Sequence, residues 1–185
     1  MDIFLETERL YLTNWEASDL PDVTAMNLDP EVMRYFPSTY SEEISKAFIA
    51  NNIQYLQVHP YGWFKVTLKA TQEFVGFIGM KDVQFKETFT PAVEIGWRMV
   101  TEMWGKGYAT EGAKACLRYA FQQLNKKEIV SFTAIPNTPS MAVMQRIGMR
   151  KVGEFNHPMV EAGHALERHV LYKITQEEWN TQREI

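Results

Sequence analysis

The chain contains a short glycine segment directly after a stretch that is typical of a strand. The glycine segment is WGKGYATE at residues 104–111, and the stretch before it is EIGWRM at residues 94–99. Glycine has no Cβ, so the backbone N–H groups of such a loop can approach an anion closely. The first turn of a following helix adds N–H donors that lack intrahelical partners, and a partial positive charge. We therefore expect this segment to bind the phosphate groups of a ligand.

Two common nucleotide-binding loops do not fit these residues. A P-loop requires Lys-Ser or Lys-Thr directly after its last glycine, whereas Tyr108 follows Gly107. A dinucleotide fingerprint requires Gly or Ala at its sixth position, where this chain has Thr110. The residues exclude both motifs. Another kind of phosphate site and a Gly-rich turn without a ligand remain as alternatives.

The segment resembles the acyl-CoA signature of the GNAT N-acetyltransferases, Q/R-x-x-G-x-G/A, which here becomes WGKGYA at residues 104–109. Trp104 is a departure, because the family pattern has Gln or Arg at this position. With the preceding EIGW, the segment is similar to the branch that contains the ribosomal-protein N-terminal acetyltransferases of the RimJ/RimL type. Further similarities follow in the family's order: ERLYL at 8–12, PEVMRYF at 30–36, AIPNTPS at 134–140, RIGM at 146–149 and YKITQEEW at 172–179.

This resemblance implies the GNAT fold, an α/β (α+β) arrangement, in a single domain over residues 1–185. Its centre is a mixed, mostly antiparallel twisted sheet of about seven strands, splayed at the acyl-CoA site. About four helices and a short C-terminal helix flank the sheet. Hydrophobic periodicity predicts strands near residues 10–14, 62–69, 74–83, 92–99, 128–134, 149–155 and 167–174. Helices are predicted to begin near Ser18, Ser41, Gly107 and Ser140. Gly76 and Gly79 indicate a bulge or a close backbone approach.

The composition is that of a globular protein that folds without a partner. The 185 residues are 45% hydrophobic, and 19 basic and 23 acidic residues give a formal charge of −4. No block of Lys or Arg stands out, so we expect no direct binding of nucleic acid. The N-terminus has no basic segment followed by an apolar run, and no stretch of 18 residues is apolar throughout. We therefore expect a cytoplasmic protein that does not bind a membrane.

The single cysteine, Cys116, excludes an internal disulfide and is a candidate nucleophile for a thioester mechanism. It belongs to a stripe of small and apolar residues with helical spacing: Ala109, Gly112, Ala113, Cys116, Leu117, Ala120 and Phe121. The stripe predicts a thiol that faces the core, so a structural role is favoured over a catalytic one.

The resemblance also implies which residues contact acetyl-CoA. Backbone groups at about Trp97, Arg98 and Met99 would pair with the pantetheine arm, and one N–H would face the thioester oxygen. Lys106 would add a positive charge, or it is a solvated loop residue. Asn137 would contact the pantetheine or the next helix, or it only satisfies the turn that follows it. The diphosphate would receive the backbone N–H groups of Gly105, Gly107, Tyr108, Ala109 and Thr110.

Two side chains are candidates for proton transfer. Direct transfer needs an uncharged amine, and Glu94 is the predicted base, acting through a water molecule. Glu94 shares a strand face with Gly96 and Arg98, so an ion pair with Arg98 or a lysine is the alternative. Ser140 is the predicted proton donor to the CoA thiolate, because Met144 stands where many family members have a Tyr. The alternative role of Ser140 is that of a helix N-cap.

Acceptor choice is expected to lie with the first two helices, the loop at residues 33–40 and the segment at residues 156–167. Five aromatic residues either line an acceptor pocket or belong to the core: Tyr35, Phe36, Tyr40, Tyr61 and Trp63. Three histidines have spacings that match no zinc pattern, so we expect no metal site: His157, His164 and His169.

Two classes of function follow from these observations. The first is an N-acetyltransferase that moves an acetyl group from acetyl-CoA to a primary amine by direct attack in a ternary complex. Its leading acceptor is a protein N-terminal amine, and a polyamine, an aminoglycoside or an amino acid comes next. The second is a non-catalytic acyl-CoA-binding module, for which Met144 is the main argument. In either class we expect a monomer or a homodimer.

Overall fold

A computed structural model describes residues 3–182, which form eight β-strands and five α-helices. The strands are β1 (Ile3–Glu6), β2 (Leu10–Thr13), β3 (Trp63–Leu68), β4 (Phe74–Asp82), β5 (Val93–Met99), β6 (Glu128–Ala134), β7 (Arg150–Asn156) and β8 (Arg168–Thr175). The helices are α1 (Leu20–Leu28), α2 (Glu42–Val58), α3 (Tyr108–Gln122), α4 (Thr138–Arg146) and α5 (Gln176–Thr181). None of these five described helices is long and apolar enough to span a membrane.

The eight strands of the described chain form one sheet in the order β1-β2-β3-β4-β5-β6-β8-β7. All neighbours are antiparallel except β5 and β6, which are parallel and are connected through α3. The predicted fold class is confirmed, with β1 as an eighth strand at the edge of the sheet. Residues 1–2 and 183–185 of the predicted single domain lie outside the described residues.

Strands β5 and β6 separate soon after they begin. Within the described sheet, Glu94 and Val130 are their single paired position. One residue further along each strand, the Ser131 hydroxyl donates a hydrogen bond of 2.8 Å to the Ile95 carbonyl oxygen. Beyond this bond the two strands diverge, and a gap opens in the middle of the sheet. This is the splay that the family resemblance implies.

The backbone groups of β5 point alternately to the two neighbouring strands. The carbonyl oxygen of Ala92 accepts a hydrogen bond from Val83, directly after β4. The N–H of Val100 donates a hydrogen bond to Val75 of β4. Ile95, by contrast, turns its carbonyl group towards β6. Even-numbered residues of β5 therefore bond to β4, and odd-numbered residues face the gap.

Different helices cover the two faces of the sheet. On one face, Gly112 of α3 lies so close to Ile78 that a Cβ would overlap the isoleucine side chain. Cys116 of the same helix is fully buried, and burial raises the pKa of its thiol to about 12. Its predicted structural role is confirmed, because a thiol with this pKa stays protonated at neutral pH. On the opposite face, Phe48 of α2 packs against Phe77 of β4, with ring centroids 5.1 Å apart.

Two glycines of β4 mark close backbone approaches, as their positions predict. Gly76 has a φ of +138° at a shift in the register with β3, and a Cβ there would overlap the carbonyl oxygen of Arg98. A Cβ on Gly79 would overlap the carbonyl oxygen of Gly62. Neither position has room for a side chain, so β4 needs glycine where its backbone passes Arg98 and Gly62.

Candidate active site

A cleft of about 1330 Å³ opens where β5 and β6 separate. Its walls come from these two strands, the N-termini of α3 and α4, the segment before α2 and the segment between β7 and β8. Lys106 is exposed and does not line the cleft. The other predicted site residues all line it: Glu94, Trp97, Arg98, Met99, Gly105, Gly107, Tyr108, Ala109, Thr110, Asn137 and Ser140.

The glycine segment forms a left-handed turn into α3. Gly105 has a φ of +73° and Gly107 a φ of +83°, values that L side chains rarely adopt. Gly107 is the N-cap of α3, and no side chain of the described residues caps this helix end. The N–H groups of Tyr108, Ala109 and Thr110 therefore have no intrahelical acceptor at the place where these residues line the cleft. This arrangement suits a bound anion.

A cluster of charged and polar groups holds this turn in place. Glu111, in the first turn of α3, accepts hydrogen bonds from the Thr7 hydroxyl at 2.5 Å and from the Arg9 backbone N–H at 2.9 Å. The Arg9 guanidinium forms an ion pair with Glu111 at 2.6 Å and donates to the Lys106 carbonyl oxygen at 3.0 Å. Burial opposes the ionisation of Glu111, but the hydrogen bonds and the charge of Arg9 hold its pKa below the ordinary value. The cluster ties the glycine turn to the start of the chain.

Sequence reasoning did not identify Arg9 and Glu111 as a pair. The two residues are 102 positions apart, so no local spacing connects them. The signal that could have indicated them was their position in family-like motifs, Arg9 in ERLYL and Glu111 in WGKGYATE. Arg9 also lies 4.5 Å from the centroid of the Tyr108 ring, so it brings a positive charge to the turn.

The register of β5 distinguishes the three residues whose backbone groups are predicted to contact the pantetheine. Trp97 and Met99 direct their backbone groups into the gap, whereas the backbone of Arg98 bonds to β4. The Met99 carbonyl oxygen accepts a 2.9 Å hydrogen bond from the indole N–H of Trp104. Trp104 thereby closes the end of β5, at the position where the family pattern has Gln or Arg. The edge N–H groups of Trp97 and Met99 remain directed into the gap.

The N-terminus of α4 contributes the neighbouring wall. Asn137 is its N-cap: Oδ1 accepts from the Ser140 N–H at 3.2 Å, and Nδ2 donates to the Thr133 hydroxyl at 2.8 Å. These bonds fit two of the alternatives for Asn137, contact with the next helix and satisfaction of the turn that follows it; contact with the pantetheine stays a prediction. The N-cap alternative for Ser140 is wrong, because Ser140 is the third residue of the helix. Its hydroxyl has no hydrogen-bond partner among residues 3–182.

Met144 lies on the other side of α4, away from the cleft. Its side chain is 1% exposed and belongs to the hydrophobic core. The residues of α4 that line the cleft include Ser140, Val143 and Arg146. A methionine at position 144 therefore fills the core of this chain and does not replace a group of the cleft.

Glu94 lines the cleft beside Lys81, its partner in the ladder between β4 and β5. Although part of the side chain faces the cleft, burial raises the pKa of the Glu94 carboxyl to about 7, and the charge of Lys81 opposes this rise. No cation within residues 3–182 forms an ion pair with Glu94, and Arg98 donates to Asn27 instead. The alternative of an ion pair with Arg98 is therefore wrong. A carboxyl group with a pKa near 7 suits general-base chemistry at neutral pH.

Aromatic side chains form the wall next to Glu94, on the face that α1 and α2 cover. Tyr61 is not part of this wall, because it is buried elsewhere and its hydroxyl donates to Asp82 at 3.0 Å. The ring of Trp63 lies against Gly96, where a Cβ would approach it to 3.1 Å. The other predicted aromatic residues line the cleft: Tyr35, Phe36, Tyr40 and Trp63.

The wall beyond β6 contains two histidines among phenylalanine rings. His157 and His169 lie 4.7 Å apart between ring centroids, and both contact Phe132 and Phe155. Burial lowers the pKa of both rings, and the proximity of His169 helps to lower that of His157 to about 4. His164 accepts a hydrogen bond from a neighbouring backbone N–H instead. Across the described chain, no group of three or more His, Cys, Asp and Glu side chains is placed to hold a metal ion.

A splayed sheet whose gap meets an uncapped helix N-terminus is the architecture of an acyl-CoA-dependent acyltransferase. The chain matches the family model of the acetyltransferase (GNAT) domain over residues 9–150. It therefore belongs to the GNAT acetyltransferases, which use acetyl-CoA as co-substrate and an amine as acceptor.

Similar proteins share this assignment. The chain is 33% identical over 177 residues to the uncharacterized N-acetyltransferase YnaD of Bacillus subtilis, covering 95% of this chain and 99% of that one. It is 29% identical over 198 residues to the FsC-acetyl coenzyme A-N(2)-transacetylase of Aspergillus fumigatus, covering 95% and 77%. The crystal structure of a GNAT-family acetyltransferase from Bacillus anthracis superimposes with a TM-score of 0.78 at 31% identity, covering 96% and 99%.

Proposed function

We propose that the chain transfers the acetyl group of acetyl-CoA to a protein N-terminal amine, by direct attack in a ternary complex, as in the RimJ/RimL-like branch. One observation carries the proposal: Glu94, with a pKa of about 7, lies in the same cleft as the open edge of β5 and the uncapped end of α3. A chain with one cysteine is suited to the reducing cytoplasm, and we propose that compartment. We also propose that the chain is a monomer or a homodimer.

The residues of the cleft fit acetyl-CoA, which when bound supplies an activated acetyl group. The N–H groups of Tyr108, Ala109 and Thr110 are donors for the diphosphate, and the conformation of Gly105 and Gly107 leaves their backbone open to it. The edge N–H groups of Trp97 and Met99 are donors for the pantetheine arm and the thioester oxygen. Asn137 holds the adjacent end of α4, and Lys106 adds positive charge at the turn.

Glu94 prepares the amine for attack. An N-terminal amine with a pKa near 8 is neutral in about one molecule of ten at pH 7, whereas a lysine with a pKa near 10.4 is neutral in about one of 2500. With a pKa of about 7, Glu94 is partly ionised at that pH and accepts the proton of the ammonium group through a water molecule. A base of this strength serves an N-terminal amine better than a lysine side chain, which supports the proposed acceptor.

Ser140 is the proposed proton donor to the departing thiolate. Its hydroxyl lacks a partner in the described chain and belongs to a residue that lines the cleft. A thiol has a pKa near 8.5, so a proton relayed by a hydroxyl and a water molecule completes the transfer. Because Met144 is a core residue, the main argument for a non-catalytic acyl-CoA-binding module does not apply.

The proposal is tested by the release of free thiol from acetyl-CoA in the presence of a panel of acceptors. The panel contains peptides with different N-terminal residues, a polyamine, an aminoglycoside and free amino acids. We expect saturable release with at least one peptide, at a rate above that of the small amines. Faster thiol release with a small amine than with any peptide would show that the preferred acceptor is a small-molecule amine. Tight binding of acetyl-CoA without release for any acceptor would contradict the activity itself.

A further inference from the structure

Arg98 brings a partly buried positive charge to the cleft without an acidic partner. Its guanidinium lies 4.2, 5.2 and 5.4 Å from the ring centroids of Phe36, Tyr40 and Phe77. Its Nη1 donates to Asn27 Oδ1 at 2.7 Å, and its Nε is buried without a hydrogen-bond partner in the described chain. No carboxylate of residues 3–182 forms an ion pair with it.

A chain of buried hydrogen bonds fixes the contact between Arg98 and Asn27. Asn27 Nδ2 donates to the Ser45 hydroxyl at 2.9 Å, and that hydroxyl donates to the Ser41 carbonyl oxygen at 3.0 Å. Asn27 and Ser45 are 1% and 0% exposed. Because Nδ2 is held by Ser45, the amide turns Oδ1 towards the guanidinium. The fold therefore holds Arg98 in place with a neutral group.

The surroundings of Arg98 compensate its charge only in part. Burial lowers the pKa of the guanidinium, although Tyr40 opposes this effect. Aromatic faces and one amide oxygen replace some of the lost hydration, but a carboxylate is the partner that matches a guanidinium best. A desolvated charge without a counter-ion is costly, and groups whose pKa is shifted in this way cluster at functional sites.

Arg98 and Glu94 lie on the same face of β5, with Gly96 between them. This face lines the cleft, and the ring of Trp63 covers Gly96. Four residues of a strand span about 13 Å, at about 3.3 Å per residue. An acceptor whose amine lies at Glu94 can therefore extend along β5, past Trp63, and reach Arg98 with a group several bonds from the amine.

We propose that Arg98 binds a carboxylate of the acceptor, so that the preferred acceptor is an amine that carries a carboxylate several bonds away. The inference rests on the acetyl transfer of the proposed function: an acidic peptide specifies the acceptor proposed there, whereas a small amino acid would replace it. The carboxylate belongs either to a small amino acid or to an acidic side chain near the N-terminus of a peptide. A polyamine does not fit, because it would bring a further cation to Arg98.

Two matched pairs of acceptors test this proposal. The first pair is an amino acid with several methylene groups between its amine and its carboxylate, and the corresponding carboxamide. The second is a peptide with Glu at its second position, and the same peptide with Gln. We expect kcat/KM to be about tenfold or more higher for the acid in at least one pair, because hydrogen bonds to charged groups are the stronger ones. The pair that shows the preference identifies whether the carboxylate belongs to a small amino acid or to a peptide side chain. The absence of a preference in both pairs overturns the proposal.

Two variants separate a binding role from a structural one. Arg98→Met removes the charge and retains an unbranched side chain. Asn27→Asp leaves the guanidinium and its aromatic neighbours in place but supplies a carboxylate from within the chain. Both should reduce the preference for the acid to less than about twofold, since neither leaves an uncompensated charge for the acceptor. An equal fall in kcat/KM for both members of a pair would assign Arg98 to the structure alone.

Calorimetric binding of the same pairs, with CoA present, distinguishes this proposal from the proposed function. If no acceptor releases thiol, the proposed function fails. Tighter binding of an acid, abolished by Arg98→Met, would still support the carboxylate site. Thiol release without any preference for the acid leaves the proposed function intact and overturns the carboxylate site.

Discussion

The Ser131 hydroxyl is joined to the Ile95 carbonyl oxygen by a 2.8 Å hydrogen bond across the point where β5 and β6 separate. The two residues are 2% and 1% exposed, so water is not an alternative partner for either group. A side chain here replaces the ladder hydrogen bond that the divergence of the strands removes. The cleft begins directly beyond this bond. Ser131 therefore helps to hold β5 and β6 in register at the point where they separate.

We expect Ser131→Ala to lower the free energy of unfolding by about 1–3 kcal/mol, because it leaves the buried Ile95 carbonyl without a donor. Urea unfolding followed by circular dichroism measures the change. Ser18→Ala, at an exposed position, is the matched control and should alter stability by less than about 0.5 kcal/mol. If the two variants are equally stable, the hydrogen bond does not hold the strands together.

Glu94→Gln should remove the pH dependence that the base imposes on the reaction. For the native chain, kcat/KM should rise as Glu94 loses its proton and reach half its maximum near pH 7, given a pKa of about 7. The variant should be slower at pH 8 by about 100-fold or more and lack this rise. The fraction of neutral acceptor amine also rises with pH, so both proteins are measured with the same acceptor, and the ratio of their rates at each pH isolates the contribution of Glu94. An unchanged rate below pH 8 would remove Glu94 as the base.

The stability of the Glu94→Gln variant provides a readout that is independent of activity. A pKa raised from 4.5 to about 7 means that the folded chain favours the protonated carboxyl. This contribution to stability is complete below pH 4.5 and is lost as the pH rises through 7. Relative to the native chain, Glu94→Gln should therefore become more stable between pH 5 and pH 8 in urea titrations. A constant difference over this range would show that Glu94 is not desolvated.

Gly107→Ala should weaken the binding of acetyl-CoA. Its φ of +83° is unfavourable for alanine by about 1–2 kcal/mol, so the turn into α3 must shift or the fold must lose this amount of stability. We expect a higher KM for acetyl-CoA and a lower melting temperature. Gly153→Ala is the matched control, since no atom lies within 4 Å of a Cβ at that position and its φ is not positive. Equal KM values for the two variants would contradict the role of the glycine turn.

His157 should make the chain sensitive to acid. Its pKa is lowered from 6.5 to about 4, so the unfolded chain takes up a proton at this residue before the folded chain does. The corresponding stability is complete above pH 6.5 and is lost as the pH falls to 4. His157→Gln should lose less stability than the native chain between pH 7 and pH 5 in urea titrations. An identical loss for both would show that this ring is not desolvated by its aromatic neighbours.

The parts of the site that sequence could predict are local in the chain. Gly105 and Gly107 lie within the turn whose conformation they permit, and the period of its own helix predicts that Cys116 faces the core, where it lies. The strands and helices with strong periodicity were predicted for the same reason. Strand β1 was missed because it is short, with four residues of which two are exposed.

The parts that sequence could not predict depend on distant contacts and on register. Arg98 is held by Asn27, 71 positions away, and their contact follows only from the packing of α1 on the sheet. A shift of one residue in the register of β5 would exchange the roles of Trp97 and Arg98. The position of Ser140 within α4 depended on which residue caps the helix, and both Asn137 and Ser140 are suitable N-caps.

Direct transfer in a ternary complex is tested by following the acetyl group itself. Acetyl-CoA labelled in its acetyl group is mixed with the chain, first alone and then with an acceptor peptide, and free thiol, peptide and chain are analysed after rapid quenching. We predict no label on the chain before the acceptor is added, and then one labelled amine for each thiol released. Label bound covalently to the chain in the absence of acceptor, or thiol release without an acetylated amine, would contradict direct transfer in a ternary complex.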